Sequence, residues 1–321
     1  MSLHELAASG PTIPQIQVGQ WAEKAVTWLQ NNVGVLLDAI KSIVETLVTG
    51  LTDGLNAVPW PVMIIIFVLL GWWLRSWKFA IFALLGPLLI VSMQLWDDAM
   101  QTLALVIVAA LISLILAIPI GVAAAQSSVV SRIVKPVLDL MQTMPQFVYL
   151  IPAVILLGLG PAPGLVATVV FAMPPGVRFT ELGIRQVNRE VVEAGEAFGA
   201  SPWKVLLRIK LPLSLGTMMA GVNQVIMLTL SMVVIAGMLS APGLGQDVVS
   251  AVSTTDIAGG FESGLAVVIL AIFLDRLTAG LGERAAPEAK LARRAKALKR
   301  KQAREQAKAA PDNEPAAKVS A

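Results

Sequence analysis

Residues 193–212, Glu193-Ala194-Gly195-Glu196-Ala197-Phe198-Gly199-Ala200-Ser201-Pro202 and on to Ile209-Lys210-Leu211-Pro212, lie in the longest hydrophilic interval between strongly apolar segments. Val191, Gly195 and Phe198 fall on one helical face, and Ala194, Gly195 and Gly199 leave the backbone nearly bare, so a partner can approach closely there. Gly199 is suited to end a short helix in the left-handed conformation. Ser201-Pro202 then supplies an N-cap and a proline at the first position of a second helix, which carries Trp203, Val205, Leu206 and Ile209. Pro212 marks the expected re-entry into an apolar environment.

Working outward, 56% of the residues are apolar and only 14% are charged, which sets the class as an integral membrane protein built from helices. Without cysteine, disulfides, thiolate catalysis and cysteine-held metals are excluded. The single histidine, His4, stands in the N-terminal tail, so Ser-His chemistry and metal-dependent hydrolysis have nothing to work with, and no catalytic residue or metal ligand is expected. No Gly-x-x-x-x-Gly-Lys-Ser/Thr phosphate loop occurs, so ATP and magnesium, if used, must be bound by another chain.

Apart from Lys24 and Lys41, the basic residues fall in intervals that can share one side of a membrane: Arg75 and Lys78, Arg132 and Lys135, Arg178 to Lys210, and Arg276 onward. The alternate turns carry Asp97, Asp98, Asp247, Asp256 and Glu262. The positive-inside rule then places the N-terminus outside and the C-terminus in the cytoplasm. The positive net charge serves orientation, and no nucleic-acid partner is expected.

Apolar segments near 59–74, 79–96, 99–125, 136–158, 164–178, 213–239 and 263–282 predict a polytopic helical bundle with about seven membrane spans. Four regions follow: 1–57, an extracytoplasmic tail; 58–98, two N-terminal spans; 99–282, a core that includes the loop 178–212; and 283–321, a basic cytoplasmic tail. In the first region an apolar stripe from Trp21 to Leu47 opposes Glu23, Lys24, Asp38, Lys41 and Glu45. It reads as an amphipathic helix on the outer membrane surface, with a break at Gly34 allowed, or as a soluble helical hairpin packed on the bundle.

Prolines and small residues crowd spans four to six, and freed carbonyls at membrane depth must be buried in protein or face water. Thr143, Met144, Pro145 and Gln146, with Asn223, Gln224 and Ser231, are the candidate polar lining of a pathway; hydrogen bonding between helices is the alternative for each. Phe147 and Tyr149 are the only candidate pore aromatics, against ordinary packing. Asp139 and Asp275-Arg276 lie near the cytoplasmic ends of their spans, where anchoring or an internal salt bridge is favoured over a substrate role. The tail after about Glu283 reads as a basic helix fading into disorder, with Arg293, Arg294, Lys299, Arg300 and Lys301 placed to touch anionic lipid.

From about Arg132 to Arg276 the chain resembles the permease subunits of glycine betaine/proline betaine ABC importers. The stretches that carry the resemblance are Leu138-Asp139-Leu140-Met141-Gln142-Thr143-Met144-Pro145-Gln146-Phe147-Val148-Tyr149-Leu150-Ile151-Pro152, Phe171-Ala172-Met173-Pro174-Pro175-Gly176-Val177-Arg178 and Phe198-Gly199-Ala200-Ser201-Pro202. Ala220-Gly221-Val222-Asn223-Gln224, Leu230-Ser231-Met232-Val233-Val234-Ile235-Ala236, Gly243-Leu244-Gly245-Gln246 and Ile272-Phe273-Leu274-Asp275-Arg276-Leu277-Thr278 add to it. Residues 193–212 resemble the family's EAA loop, with Gly195 in place of its second alanine.

The resemblance implies the type I importer permease fold and a bacterial inner-membrane location. It implies a homodimer enclosing one pore, an ATP-binding subunit docked on the loop through Glu193, Ala194, Gly195, Phe198, Gly199, Ser201, Pro202, Ile209, Leu211 and Pro212, and an external substrate-binding protein. The implied cargo is glycine betaine, proline betaine, choline or carnitine. No aromatic cage for a quaternary ammonium is visible in the spans, which fits recognition delegated to the binding protein. The alternatives are a permease for another small solute, or an ion-coupled carrier, which would need mid-span carboxylates that are missing.

Overall fold

The computed structural model describes residues 17–285, and every element within them is helical. His4 and the basic residues from Arg293 to Lys301 lie outside the described residues.

The chain opens with α1 (Val18–Asn56), a 39-residue helix that runs through Gly34 without a break. Val44 and Val48 on its inner face pack with Val108, Ala109, Leu165 and Val169. The Gln30 side-chain amide donates to the Ile155 carbonyl at 2.6 Å. Val44 and Val48 thus find partners within the protein, whereas Trp21, Trp28, Leu36, Ile43 and Leu47 of the expected stripe are exposed.

Two short helices follow, α2 (Trp60–Leu74) and α3 (Trp77–Ser92), the second opened by Ser76, whose hydroxyl accepts from the Phe79 amide. They pack on α12 (Ile257–Ala285) through Phe67, Phe79 and Phe273, with the Phe67 and Phe273 ring centroids 4.9 Å apart. At one end of this layer Arg75 pairs with Glu283, and Arg284 lies 5.0 Å from the Trp73 ring centroid.

The centre consists of α4 (Trp96–Gln126), α7 (Pro161–Arg185) and α10 (Leu211–Gly237), with α7 enclosed between the other two. Ala110, Ala172 and Val225, one from each, meet in the core. Between α4 and α7 the chain forms α5 (Ser128–Thr143) and α6 (Gln146–Leu157). The expected straight span at 136–158 is replaced by this pair, bent by 97° at Met144-Pro145. Met144 is extended (ψ 135°), the conformation favoured for a residue before proline. Pro136 lies inside α5 and starts nothing. The helix begins eight residues earlier because Arg132 and Lys135 occupy the exposed face of an amphipathic helix.

Four helical stretches, Trp96–Gln126, Pro161–Arg185, Pro202–Gly237 and Ile257–Arg284, are individually long and apolar enough to cross a membrane. The bent pairs α1–α2 and α5–α6 and the shorter α3 account for the remaining apolar segments. All seven expected segments are thus helical, though three of them do not form a full-length straight span.

Candidate functional site

The hydrophilic loop forms a compact hairpin. Asn188 caps α8 (Arg189–Ala197) by accepting from the Glu190 amide at 2.9 Å, and Arg189 pairs with Glu193 one turn on at 2.8 Å. Gly199 ends the turn at φ +80°, with the Gly199 and Ala200 amides donating to the Glu196 and Gly195 carbonyls. Ser201, extended at the N-cap position but without the expected side-chain cap hydrogen bond, and Pro202 then open α9 (Pro202–Val205). Val205 at its end and Leu206 just beyond are fully buried, whereas Glu193, Ala194, Gly199, Ser201, Pro202 and Trp203 are exposed. Phe198 stands at the tip, 93% exposed.

Two details differ from the sequence expectation. Gly195 is not bare to a partner, because Ile209 of the same hairpin packs into the space a Cβ would fill, which leaves Gly199 as the open position. Pro212 does not start a new segment either. A π-helical turn over Leu206–Lys210 carries α9 into α10, giving one 36-residue helix, Pro202–Gly237. The Leu211 amide bonds to the Leu206 carbonyl five residues back, a wider turn that accommodates a proline ring which would otherwise crowd the carbonyl four residues before it. Leu211 and Pro212 are half-buried at this junction.

The candidate pathway residues fall into two groups. Thr143, Met144, Pro145 and Gln146 make the 97° bend, with Thr143 and Pro145 exposed. The Tyr149 hydroxyl donates to the Met141 carbonyl across the bend and fixes its angle, while the ring packs beside Leu150, Ala153 and Met232. Tyr149→Phe is expected to loosen the bend at a stability loss of about 1 kcal/mol, read as a lower melting temperature of the purified protein.

The second group lies on α10. Gln224 and Ser231 share an exposed stripe with Met227, two helical turns long. Asn223 instead faces α12, donating to Asp275 at 2.8 Å and accepting from Thr278 at 2.7 Å. Of the two sequence readings for Asn223, hydrogen bonding between helices is the one its geometry fits. Ser231, Met227, Asp275 and Arg276 line a groove of about 230 Å³ between α10 and α12.

Sequence reasoning missed Glu181. Its side chain, only 7% exposed, accepts from the Ser131 hydroxyl at 2.7 Å and lies 2.9 Å from Arg185 and 3.7 Å from Lys135. Arg185 also donates to the Ala124 carbonyl, so the ends of α4, α5 and α7 are joined just before α8. The i,i+4 pair Glu181/Arg185 within an apolar pattern was the available signal; Ser131, fifty residues away, was not.

At the opposite end of the bundle α11 (Leu244–Thr254) begins at Gly243, and the Leu244 amide donates to the Thr102 hydroxyl at 2.9 Å. Nearby, Asp247 Oδ2 is buried without a hydrogen-bond partner among the described residues. Burial, and secondarily the Asp98 carboxylate, raise its pKa above the ordinary 3.8. Folding therefore favours the protonated form: the stability is fully present below pH 3.8 and is lost as pH rises through the raised value. Asp247→Asn is expected to raise the melting temperature at pH 7 by on the order of a few degrees, the gain vanishing as the pH falls below the ordinary aspartate range.

The arrangement consists of spans, a broken helix and an exposed hairpin, and among the described residues no group of acidic or histidine side chains could hold a metal. Residues 117–287, which contain the bend, the groove and the hairpin, match the family of binding-protein-dependent transport system inner membrane components. The chain belongs to this family. It is 47% identical over 266 residues to the glycine betaine transport system permease protein OpuAB of Bacillus subtilis, covering 83% of this chain and 94% of that protein. It is 46% identical to the glycine betaine/carnitine transport permease protein GbuB of Listeria monocytogenes, over 87% of this chain and 100% of that one. Among solved structures, an inward-facing form of the MetNI methionine ABC transporter matches with a TM-score of 0.53 at 20% identity, over 62% of this chain and 97% of that chain. That likeness establishes the type I importer permease fold.

Proposed function

We propose that this chain is the permease subunit of an ATP-driven importer of glycine betaine or a related quaternary amine, and not itself an enzyme. The observation that carries this is identity of 46–47% across nearly the whole of two permeases named for glycine betaine. The second of these is also named for carnitine, which keeps carnitine within the substrate class.

In this proposal two copies enclose one pore in the inner membrane, with the N-terminus outside and the C-terminus in the cytoplasm. The α8–α9 hairpin receives the ATP- and magnesium-binding subunit, whose docking the exposed Phe198 and the open Gly199 support. An external binding protein delivers the solute. The bend residues Thr143 to Gln146, with Tyr149, Gln224 and Ser231, contribute to the pathway; Asn223 acts from behind it by tying α10 to α12. ATP-driven closure of the partner subunits moves the hairpin, and the continuous helix Pro202–Gly237 carries that motion into the bundle.

The test is uptake of labelled glycine betaine, carnitine and choline by cells lacking their own osmolyte importers. The chain is expressed with its cognate ATPase and binding protein, or without the ATPase. Uptake that vanishes without the ATPase supports the importer, and the preferred solute identifies the cargo. Uptake that persists without it would overturn the assignment in favour of a carrier.

A further inference from the structure

Two polar rungs join α5 to α7. In the first, Glu181 of α7 takes the Ser131 hydroxyl and the Lys135 ammonium of α5. In the second, Arg178 of α7 pairs with Asp139 of α5. Between them Leu138 packs on Val177. The helices run antiparallel, since residues 131 and 135 meet 181 while 139 meets 178.

The charges are crossed. Helix α5 offers a cation at 135 and an anion at 139, and α7 offers an anion at 181 and a cation at 178. Sliding α5 by one turn in one direction sets Asp139 against Glu181; sliding it the other way sets Lys135 against Arg178. The first slip opposes two carboxylates, one of them buried; the second opposes Lys135 and Arg178 and, although it brings Arg132 towards Glu181, gives up the Ser131 hydrogen bond and the Asp139–Arg178 pair, so the ladder favours the native register. A buried carboxylate is a poor device for stability alone, because an apolar side chain of similar size serves as well, whereas fixing a register is a use for which such groups are well attested.

The place of the ladder suggests what the register serves. Glu181 and Arg185 end α7, and only residues 186–188 separate that end from α8. At its other end the ladder stops at Asp139, one turn before Thr143 and the 97° bend. We propose that this crossed ladder, with Glu181 as its positioning residue, makes α5 and α7 move as one body, so that displacement of α8 reaches the bend at Met144-Pro145. The role rests on the reading of α8 as the docking point of the ATPase.

The test uses the complete transporter, with its ATPase and binding protein, in proteoliposomes where glycine betaine uptake and ATP hydrolysis are measured together. Glu181→Gln retains the shape and removes the charge. It is expected to lower solute moved per ATP by roughly tenfold while hydrolysis continues. Arg178→Asp and Asp139→Arg alone should uncouple similarly, and the double exchange Asp139→Arg/Arg178→Asp should return the ratio to within about threefold of wild type.

A purely structural role would lower uptake and hydrolysis in step, with a lower melting temperature and an unchanged ratio. That result, or a double exchange no better than its single parents, would overturn the proposal. If Glu181→Gln fails to assemble, the exchange on the exposed rung decides. Absence of ATP-dependent uptake by the wild type would instead overturn the permease reading, and the ladder's coupling role with it.

Discussion

Phe198→Asp is expected to cut recovery of the ATPase with the permease by a factor of about 30 or more and to reduce uptake in parallel, while leaving the permease folded. The factor corresponds to about 2 kcal/mol, the threshold for an aromatic anchor at the centre of an interface. Phe198 is 93% exposed at the tip of the α8–α9 turn, so its replacement disturbs little of the protein's own packing. Its contribution to stability should lie within about 0.5 kcal/mol. A large aromatic left in water beside an open glycine is instead suited to fill a pocket on another protein, and aspartate would bring a desolvated charge there. Co-purification from detergent and uptake in cells check this together. If the ATPase still co-purifies in full with the aspartate variant, the tip of the hairpin is not the docking point.

The second large effect is expected at Gly245, where α11 crosses the end of α10. A Cβ there would overlap the Val233 carbonyl, and a Cβ on Gly237 would overlap the backbone of Gly245 and Gln246. Both helices meet main chain to main chain, so no side chain can turn aside to make room. Leu244, fully buried and tied through its amide to Thr102, prevents α11 from backing away. Gly245→Val should therefore exceed the usual 1–3 kcal/mol for overpacking, reaching about 3 kcal/mol or more, with loss of monodisperse protein on detergent size-exclusion chromatography. Val252→Ala, on the same helix but 75% exposed, should leave the elution profile unchanged.

The hairpin was legible because its signals are local: Gly199 ends one helix and Ser201-Pro202 starts the next, whatever surrounds them. The long spans were legible from their apolar length. The bend at Met144-Pro145 was only half visible. Pro136, Pro145 and Pro152 are equivalent in sequence, and only packing decides that Pro145 breaks the helix while the other two are absorbed. The Tyr149 hydroxyl that closes the bend, like the Ser131 hydroxyl on Glu181, joins residues whose proximity exists only after folding. Asn223, Gln224 and Ser231 stand out in sequence as polar residues in an apolar span. Which of them faces another helix and which faces outward depends on where α12 lies, and no periodicity of α10 reports that.

The π-helical turn at Leu206–Lys210 holds one more residue than the α-helix it interrupts, so everything beyond it is rotated by about 100° from where an unbroken helix would place it. The hairpin and the span below it are thus out of phase by a fixed azimuth. Removing a single residue from this turn would swing Trp203 and Phe198 around the helix axis relative to the groove-lining stripe, with every remaining side chain unchanged. The aim of the hairpin is recorded in how many residues lie between Trp203 and Pro212, and only secondarily in which residues they are.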